Sequence, residues 1–323
     1  MVPKSLSLQN LESATGYLAF TGFEEELESE ILRNGLRILE KRELFFLTAN
    51  NNPSLLWSQL TCAKIQILPI ESIKSAAKSL IKVNRFWGLY STACHRRAHL
   101  IEEALGSKKT KTMEFLAPLP KKHFGFWTLW DENTILYSNK TTLPFQRGEV
   151  HFAEDSRPPS RAYLKLWEIL TVYIFPPDKN DSVIELGASP GGWTWVLNEL
   201  EVDVDAFDRS PLREDLMKTP NIRFHQTDIF KISPKDFDKT KWLFSDVIAY
   251  PDRLYELVLT WLKEKPDLNI ILTIKFQGPT DFESVEKFKS IPMSKVVHLF
   301  HNKNEVTFLR MSSEKLYRSV LSL

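Results

Sequence analysis

The sequence predicts an α/β fold, a mostly parallel sheet with helices on both faces, preceded by a smaller α+β domain. Three observations point there. From residue 155 onward β-type runs alternate with helical stretches, the pattern of strand–helix–strand crossovers. The first of these runs, SVIEL at 182–186, opens into a glycine-rich turn and a helix. The last two, KVVHLF (295–300) and EVTFLRM (305–311), are joined only by HNKN, a link so short that it forces an antiparallel pair.

Taken in order, the first elements are a strand after Gly16 (YLAF), a helix in FEEELESEILRNG (23–35) with Phe23, Leu27, Ile31 and Leu32 at helical spacing, and a strand in LRILEKRELFFLT (36–48). A strand at 63–68 and a helix at 70–83 complete a first domain over 1–105. GSKKTKT (106–112) reads as a basic exposed linker, and FGFWTLW with NTILYSN as a hairpin around Asp131, Glu132 and Asn133, together a segment over 106–154. The second domain, 155–323, opens with SRPPSRAYLKLWEIL, an amphipathic helix with Tyr163, Leu166, Trp167 and Leu170 on one side. Its further strands are VDVDAF, IRFHQ, WLFSDV and NIILTIKF.

Of 323 residues, 43% are hydrophobic and 26% charged, near the globular average, which disfavours disorder, collagen and coiled coil. No apolar run approaches the roughly 18 residues of a membrane helix, and MVPKSLSLQN lacks the apolar core of a secretory signal, so a cytoplasmic protein is expected. Cys62 and Cys94 stand far apart, which excludes a disulfide scaffold or zinc ribbon; both read as buried thiols, and no metal is expected.

The net charge of +1 hides a segregation: residues 60–125 hold twelve Lys or Arg against four Glu, or +8, leaving −7 for the rest. Lys74, Lys78 and Lys82 share one helix face, and Arg85, Arg96 and Arg97 follow with Phe86, Trp87 and Tyr90 between them. With Lys108 and Lys109 they suit phosphate contact plus base stacking, hence an RNA partner; the alternative is a solvated helix face over a buried aromatic cluster.

The turn after SVIEL contains Gly187, Ser189, Pro190, Gly191, Gly192 and Trp193, and Asp208 ends the next strand where a carboxylate accepts from ribose hydroxyls. Strand, glycine turn, helix, strand and terminal Asp together favour an adenosine-type cofactor, with Asp228 placed to read an adenine amine or to cap the helix after it. The segment also fits Gly-x-Ser-x-Gly, with Asp246 and His298 or His301 following. In that hydrolase mechanism the residue after serine donates its N–H to the oxyanion, and Pro190 has none. The histidines are therefore expected to be structural or solvent-facing.

Strand carboxyl ends line the ligand crevice of such sheets, and Asp246 and Lys275 end the fourth and fifth strands. Glu305 opens the last strand and Lys165 lies on the helix entering the domain. Singly, each has a dull reading as a cap or a surface ion pair. SRAYLKL, GASPGGW, FSDV, IKFQG and NEVTFLR occur in the order seen in FtsJ-like ribose 2′-O-methyltransferases, and the sequence resembles that family over 160–311. The resemblance implies a Rossmann-like class I methyltransferase fold, S-adenosyl-L-methionine as cofactor, and a catalytic tetrad matched by Lys165, Asp246, Lys275 and Glu305. The cofactor contacts would come from Gly187, Ser189, Pro190, Gly191, Gly192, Trp193, Asp208, Asp228 and Asp246. Within the family it is most similar to the M-type bacterial 23S rRNA (cytidine-2′-O)-methyltransferases, which carry a THUMP-like RNA-binding region. YSNKTTLPFQRG and the strand-then-FEEE start support that similarity, whereas the continuation VIAYP after Asp246 departs from the Met-Ala-Pro of the FtsJ type.

On this reading the methyl passes to an RNA ribose 2′-hydroxyl, with Lys275 as general base, Lys165 stabilising the alkoxide and the two carboxylates orienting both lysines. The expected substrate is rRNA, free or in a precursor particle, and the expected state a monomer or weak dimer. The competing class is an RNA-binding or ribosome assembly factor with a vestigial cofactor pocket.

Overall fold

The computed structural model describes residues 11, 14–49, 55–106 and 112–321. They form two compact units: one runs to residue 113 and includes 118–151, the other comprises 114–117 and the chain from 152.

The first unit contains β1 (Thr15–Ala19), α1 (Glu24–Arg33), β2 (Ile38–Arg42), β3 (Phe45–Thr48), β4 (Ser58–Ala63), β5 (Gln66–Pro69), α2 (Ile73–Val83), β6 (Trp87–Leu89), α3 (His95–Leu105), β7 (Gly125–Asp131), β8 (Thr134–Ser138) and β9 (Lys140–Thr141). They build two sheets, in the orders β2-β3-β1-β4-β9 and β5-β8-β7-β6. Three expectations change. The strand expected at 36–48 is a hairpin, turned by Glu43 at φ +52°. The strand expected at 63–68 is broken by Lys64 at φ +54°, which sends β4 and β5 into different sheets. The hairpin of 125–138 does not stand apart with the linker: β8 pairs with β5 and β7 with β6, so ladder hydrogen bonding draws it into the first unit.

Helix α2 starts at Ser72, whose hydroxyl accepts from the Ser75 amide at 3.1 Å, and buries Ala76, Ala77 and Leu80. Lys74, Lys78 and Lys82 lie exposed on its other side; Arg85, past its end, and Arg96, on α3, are also exposed, while Arg97 is half-buried. Trp87 is not available for stacking. Its ring is fully buried and its indole N–H donates to the carbonyls of Leu80 and Asn84, because a buried indole needs an acceptor. Lys108 and Lys109 lie outside the described residues. Cys62 is buried, whereas Cys94 is only partly so.

The second unit is built on one seven-stranded sheet. Its elements are α4 (Tyr163–Glu168), β10 (Ser182–Leu186), α5 (Gly192–Glu199), β11 (Asp203–Asp208), α6 (Glu214–Met217), β12 (Ile222–Gln226), β13 (Thr240–Ser245), α7 (Pro251–Glu264), β14 (Asn269–Lys275), α8 (Phe282–Lys289), β15 (Ser294–Val297) and β16 (Glu305–Arg310). The order is β12-β11-β10-β13-β14-β16-β15, parallel except for β16, which runs antiparallel to both its neighbours. Strand order reverses between β10 and β13, the point at which an open α/β sheet offers a crevice. Leu186 is level with Phe207 on one side and Ser245 on the other. The residues just past them, Gly187, Asp208 and Asp246, therefore emerge along one edge.

The helix carrying Lys165 departs from the expected amphipathic form: all six residues of α4 are buried. Phe115 stacks on Trp167 at 5.2 Å, and Tyr163 meets the same indole edge-on at 4.8 Å. Lys165 and Glu168 are buried with the rest, so each requires polar partners inside the unit.

Candidate active site

The turn after β10 is shaped by two glycines. Gly187 has φ +77° and Gly191 φ +111°, conformations L side chains rarely adopt. A Cβ on Gly187 would lie 2.9 Å from the Val247 Cβ, and one on Gly191 2.4 Å from the Leu216 Cδ1. The turn thus seats against the loop after β13 and against α6. Asp208 is pinned beside it, accepting from the Ser189 amide at 3.0 Å and the Ser210 amide at 2.9 Å. One bond per oxygen leaves further lone pairs for a ligand.

A cavity of about 410 Å³ opens here, lined by Gly187, Ser189, Pro190, Gly192, Trp193, Asp208, Asp246 and Lys275, together with Ser160, Glu185 and Ile248. A neighbouring cavity of about 180 Å³ shares Gly187, Asp208, Val247 and Ile248 and adds Arg209, Asp228, Phe230 and Arg253. Two cavities joined at a carboxylate fit a ligand with two parts linked by a ribose. Asp228 caps the short helical turn after it, accepting from the Phe230 amide at 3.1 Å; it also accepts from the Arg209 guanidinium at 2.6 Å and lines the smaller cavity. Gly191 does not line either cavity; its missing side chain makes room for Leu216.

Lys165, Asp246, Lys275 and Glu305 come together at the cavity wall. Lys165 Nζ donates to both Asp246 carboxylate oxygens at 2.8 Å and to Glu305 Oε1 at 3.1 Å. Lys275 Nζ donates to the Asp246 carbonyl at 2.7 Å and lies 3.0 Å from Asp246 Oδ1. Lys275 and Glu305 are directly opposite in the β14–β16 register. Thr273, two residues earlier on β14 and hence on the same face, donates its hydroxyl to Asp246 Oδ1 at 2.5 Å. Burial alone would raise the Asp246 carboxyl, but the Lys165 and Lys275 ammoniums and the hydrogen bonds of Lys165 and Thr273 hold it below the usual carboxylate range.

The four groups are not equivalent. Asp246 and Lys275 line the cavity, whereas Lys165 and Glu305 stand behind Asp246. The Lys275 side chain is 23% exposed against 9% for Lys165, so Lys275 is the amine open to an incoming molecule.

A serine hydrolase is not assembled here. Ser189 Oγ donates to the Pro211 carbonyl, and Asp246 is engaged by lysines. His301 Nδ1 lies 2.6 Å from Glu168, and burial pushes His298 down to about 4, so that ring is neutral at physiological pH, with Nε2 3.0 Å from the Lys303 carbonyl.

Sequence reasoning passed over Thr273, Glu168 and Glu185. The two-residue offset from Lys275 was the available signal for Thr273. Glu168, three residues after Lys165, accepts from the amides of Phe300 and His301 and so ties α4 to the turn before Glu305. Glu185, on β10, is fully buried and takes the Thr194 hydroxyl at 2.7 Å. Burial pushes its carboxyl up to about 8 against the Thr194 bonds, with the negative charges of Asp246 and Asp208 adding to the rise.

Residues 158–314 match the family model described as FtsJ-like methyltransferase. That segment belongs to the FtsJ-like methyltransferase family. The FtsJ-like domain carries all four residues of the Lys-Asp-Lys-Glu cluster and both cavities. Over a longer stretch the chain is similar to proteins named ribosomal RNA large subunit methyltransferase M. With the one from Pseudoalteromonas translucida it is 29% identical over 72% of this chain and 68% of the relative. With that from Pseudoalteromonas atlantica it is 30% identical over 67% of this chain and 66% of the relative. With that from Proteus mirabilis it is 30% identical, over 51% of this chain and 49% of the relative. The chain thus spans about two thirds of the first two and about half of the third. Likeness to solved structures is weaker: a chain of a fibrillarin/Nop5p complex aligns with a TM-score of 0.39 at 16% identity, covering 62% of this chain and 99% of that one.

Proposed function

We propose that the protein is an S-adenosylmethionine-dependent ribose 2′-O-methyltransferase of large-subunit ribosomal RNA, with a cytidine as target, and that its first unit is a THUMP-like RNA-binding domain. The observation that carries this reading is the meeting of two amines and two carboxyls at the wall of the larger cavity. A ligand that has only to be bound needs no such cluster. The relatives named ribosomal RNA large subunit methyltransferase M point to the same substrate class.

When bound, S-adenosylmethionine supplies a methyl carbon made electrophilic by its sulfonium. Asp208 would hold the ribose hydroxyls, Asp228 the adenine amine, and the turn from Gly187 to Gly192 the remainder. Lys275 Nζ takes the proton of the RNA 2′-hydroxyl. It does so as the free amine, having first released its own proton to solvent. Asp246 fixes the direction of both lysines through three of its contacts, and Lys165 offsets the negative charge that accumulates beside the developing alkoxide.

The decisive test is tritiated methyl transfer to total RNA from a strain lacking the gene, followed by nucleoside mapping. Lys275→Ala is expected to abolish transfer while leaving cofactor affinity within about twofold by calorimetry, since the role proposed for it is toward the acceptor hydroxyl. An equal loss of cofactor binding would show that Lys275 has been misassigned.

A further inference from the structure

The loop from Asp246 to the start of α7 carries the two most exposed large apolar side chains among the described residues, Ile248 at 79% and Tyr250 at 66%. One such residue on a protein surface requires no explanation. Two within four residues of the catalytic carboxylate do. Ile248 lines both cavities. Tyr250 immediately precedes Pro251 at the first position of α7, which holds its backbone extended, and its ring and hydroxyl have no partner among the described residues. Cations flank the loop: Lys275 lines the larger cavity, and Arg253, exposed, places its guanidinium 3.5 Å over the Phe230 ring and has no ion-pair partner among the described residues.

Flat apolar surface interleaved with fixed positive charge is the chemistry that holds a single-stranded nucleic acid, whose bases stack while its phosphates pair. We propose that Ile248, Tyr250 and Arg253 form the platform that receives a base and phosphate of the substrate RNA while the target ribose enters the cavity beside Lys275. This deepens the methyltransferase reading and rests on it. The catalytic carboxylate and the platform share one loop, so seating a base fixes the ribose relative to Lys275. The platform is specific for unpaired nucleotides, since a base within a helix has no free face to offer.

The test uses the full chain with Tyr250→Ala and Tyr250→Phe, and melting temperatures establish that each variant is folded. The readouts are the KM for large-subunit rRNA from the deletion strain, the anisotropy of a fluorescein-labelled oligocytidine, and the Kd for S-adenosylhomocysteine. Tyr250→Ala is expected to raise the RNA KM and weaken the oligonucleotide by about tenfold, ~1.4 kcal/mol, as for the loss of one base–aromatic contact. Tyr250→Phe should restore both, and the Kd for S-adenosylhomocysteine should not move. Unchanged RNA KM and oligonucleotide affinity in Tyr250→Ala overturn the platform while leaving methyl transfer intact. Tyr250-dependent oligonucleotide binding by a chain that methylates no RNA sustains the platform and removes the catalytic reading.

Discussion

Glu185 shows what a single residue contributes to a site. Its carboxyl is fully buried and, in the ligand-free protein, remains protonated up to about pH 8, whereas in the unfolded chain it ionises near its ordinary value of 4.5. Between those values the unfolded state binds fewer protons than the folded one, so stability falls as pH rises through that window. At pH 7 the cost is on the order of 3 kcal/mol. Glu185→Gln keeps an acceptor for Thr194 and removes the cost. Its melting temperature should match the wild type near pH 4 and exceed it by a margin that widens up to pH 8; scanning fluorimetry across that range reads the difference. A margin independent of pH would mean the carboxyl is ionised in the folded protein. Asp246 behaves oppositely. Its pairing stabilises the fold above the ordinary carboxylate range, and that contribution is lost as pH falls through its depressed value.

At the scale of elements, the site depends on how α4 and the β15–β16 connection are fastened. Glu168 is wholly buried and accepts from the Phe300 amide at 2.9 Å, the His301 amide at 3.1 Å, and the His301 ring. These bonds bring the segment before Glu305 to the helix that carries Lys165. Glu168→Ala leaves inward-facing amides unpaired and should cost about 2–3 kcal/mol of stability, seen as a lowered urea midpoint. If Glu168 positions Glu305, then at a temperature where both variants remain folded, Glu168→Gln should lower turnover in the wild type but not in a Glu305→Gln background. Additive losses would reduce Glu168 to a structural tie. Thr273→Val, a near-isosteric change, removes a hydrogen bond to Asp246 Oδ1 and should slow transfer by about tenfold with no change in RNA KM.

For the molecule as a whole, function turns on where charge lies. The basic set from Lys74 to Arg97 belongs to the first unit, where Lys74, Lys78, Lys82, Arg85 and Arg96 are exposed. Reversing Lys74, Lys78 and Lys82 to Glu should weaken rRNA binding steeply at low salt and flatten the slope of log affinity against log salt, because fewer counterions are released on binding. Full affinity after the reversal would remove the first unit from RNA recognition.

Much of this organisation was legible from local pattern. The mostly parallel sheet with its antiparallel last pair follows from alternating strands and the short HNKN link, and the glycine turn with Asp208 from spacing, because backbone geometry and strand period act over a few residues. Lys165, Asp246, Lys275 and Glu305 were recognisable as a set only through motif order. Their distances depend on register: a shift of one residue between β14 and β16 would turn Lys275 and Glu305 to opposite faces. Burial was not legible in the same way. Trp87, for which both a stacking ring and a buried aromatic cluster were open, is core; α4, read as amphipathic, is enclosed; Glu185 and Glu168 gave no periodic signal as site residues. Periodicity reports which face of an element is apolar, but what covers the other face, and whether a buried carboxyl finds a partner more than a hundred residues away, is decided by long-range packing that exists only once the chain has folded.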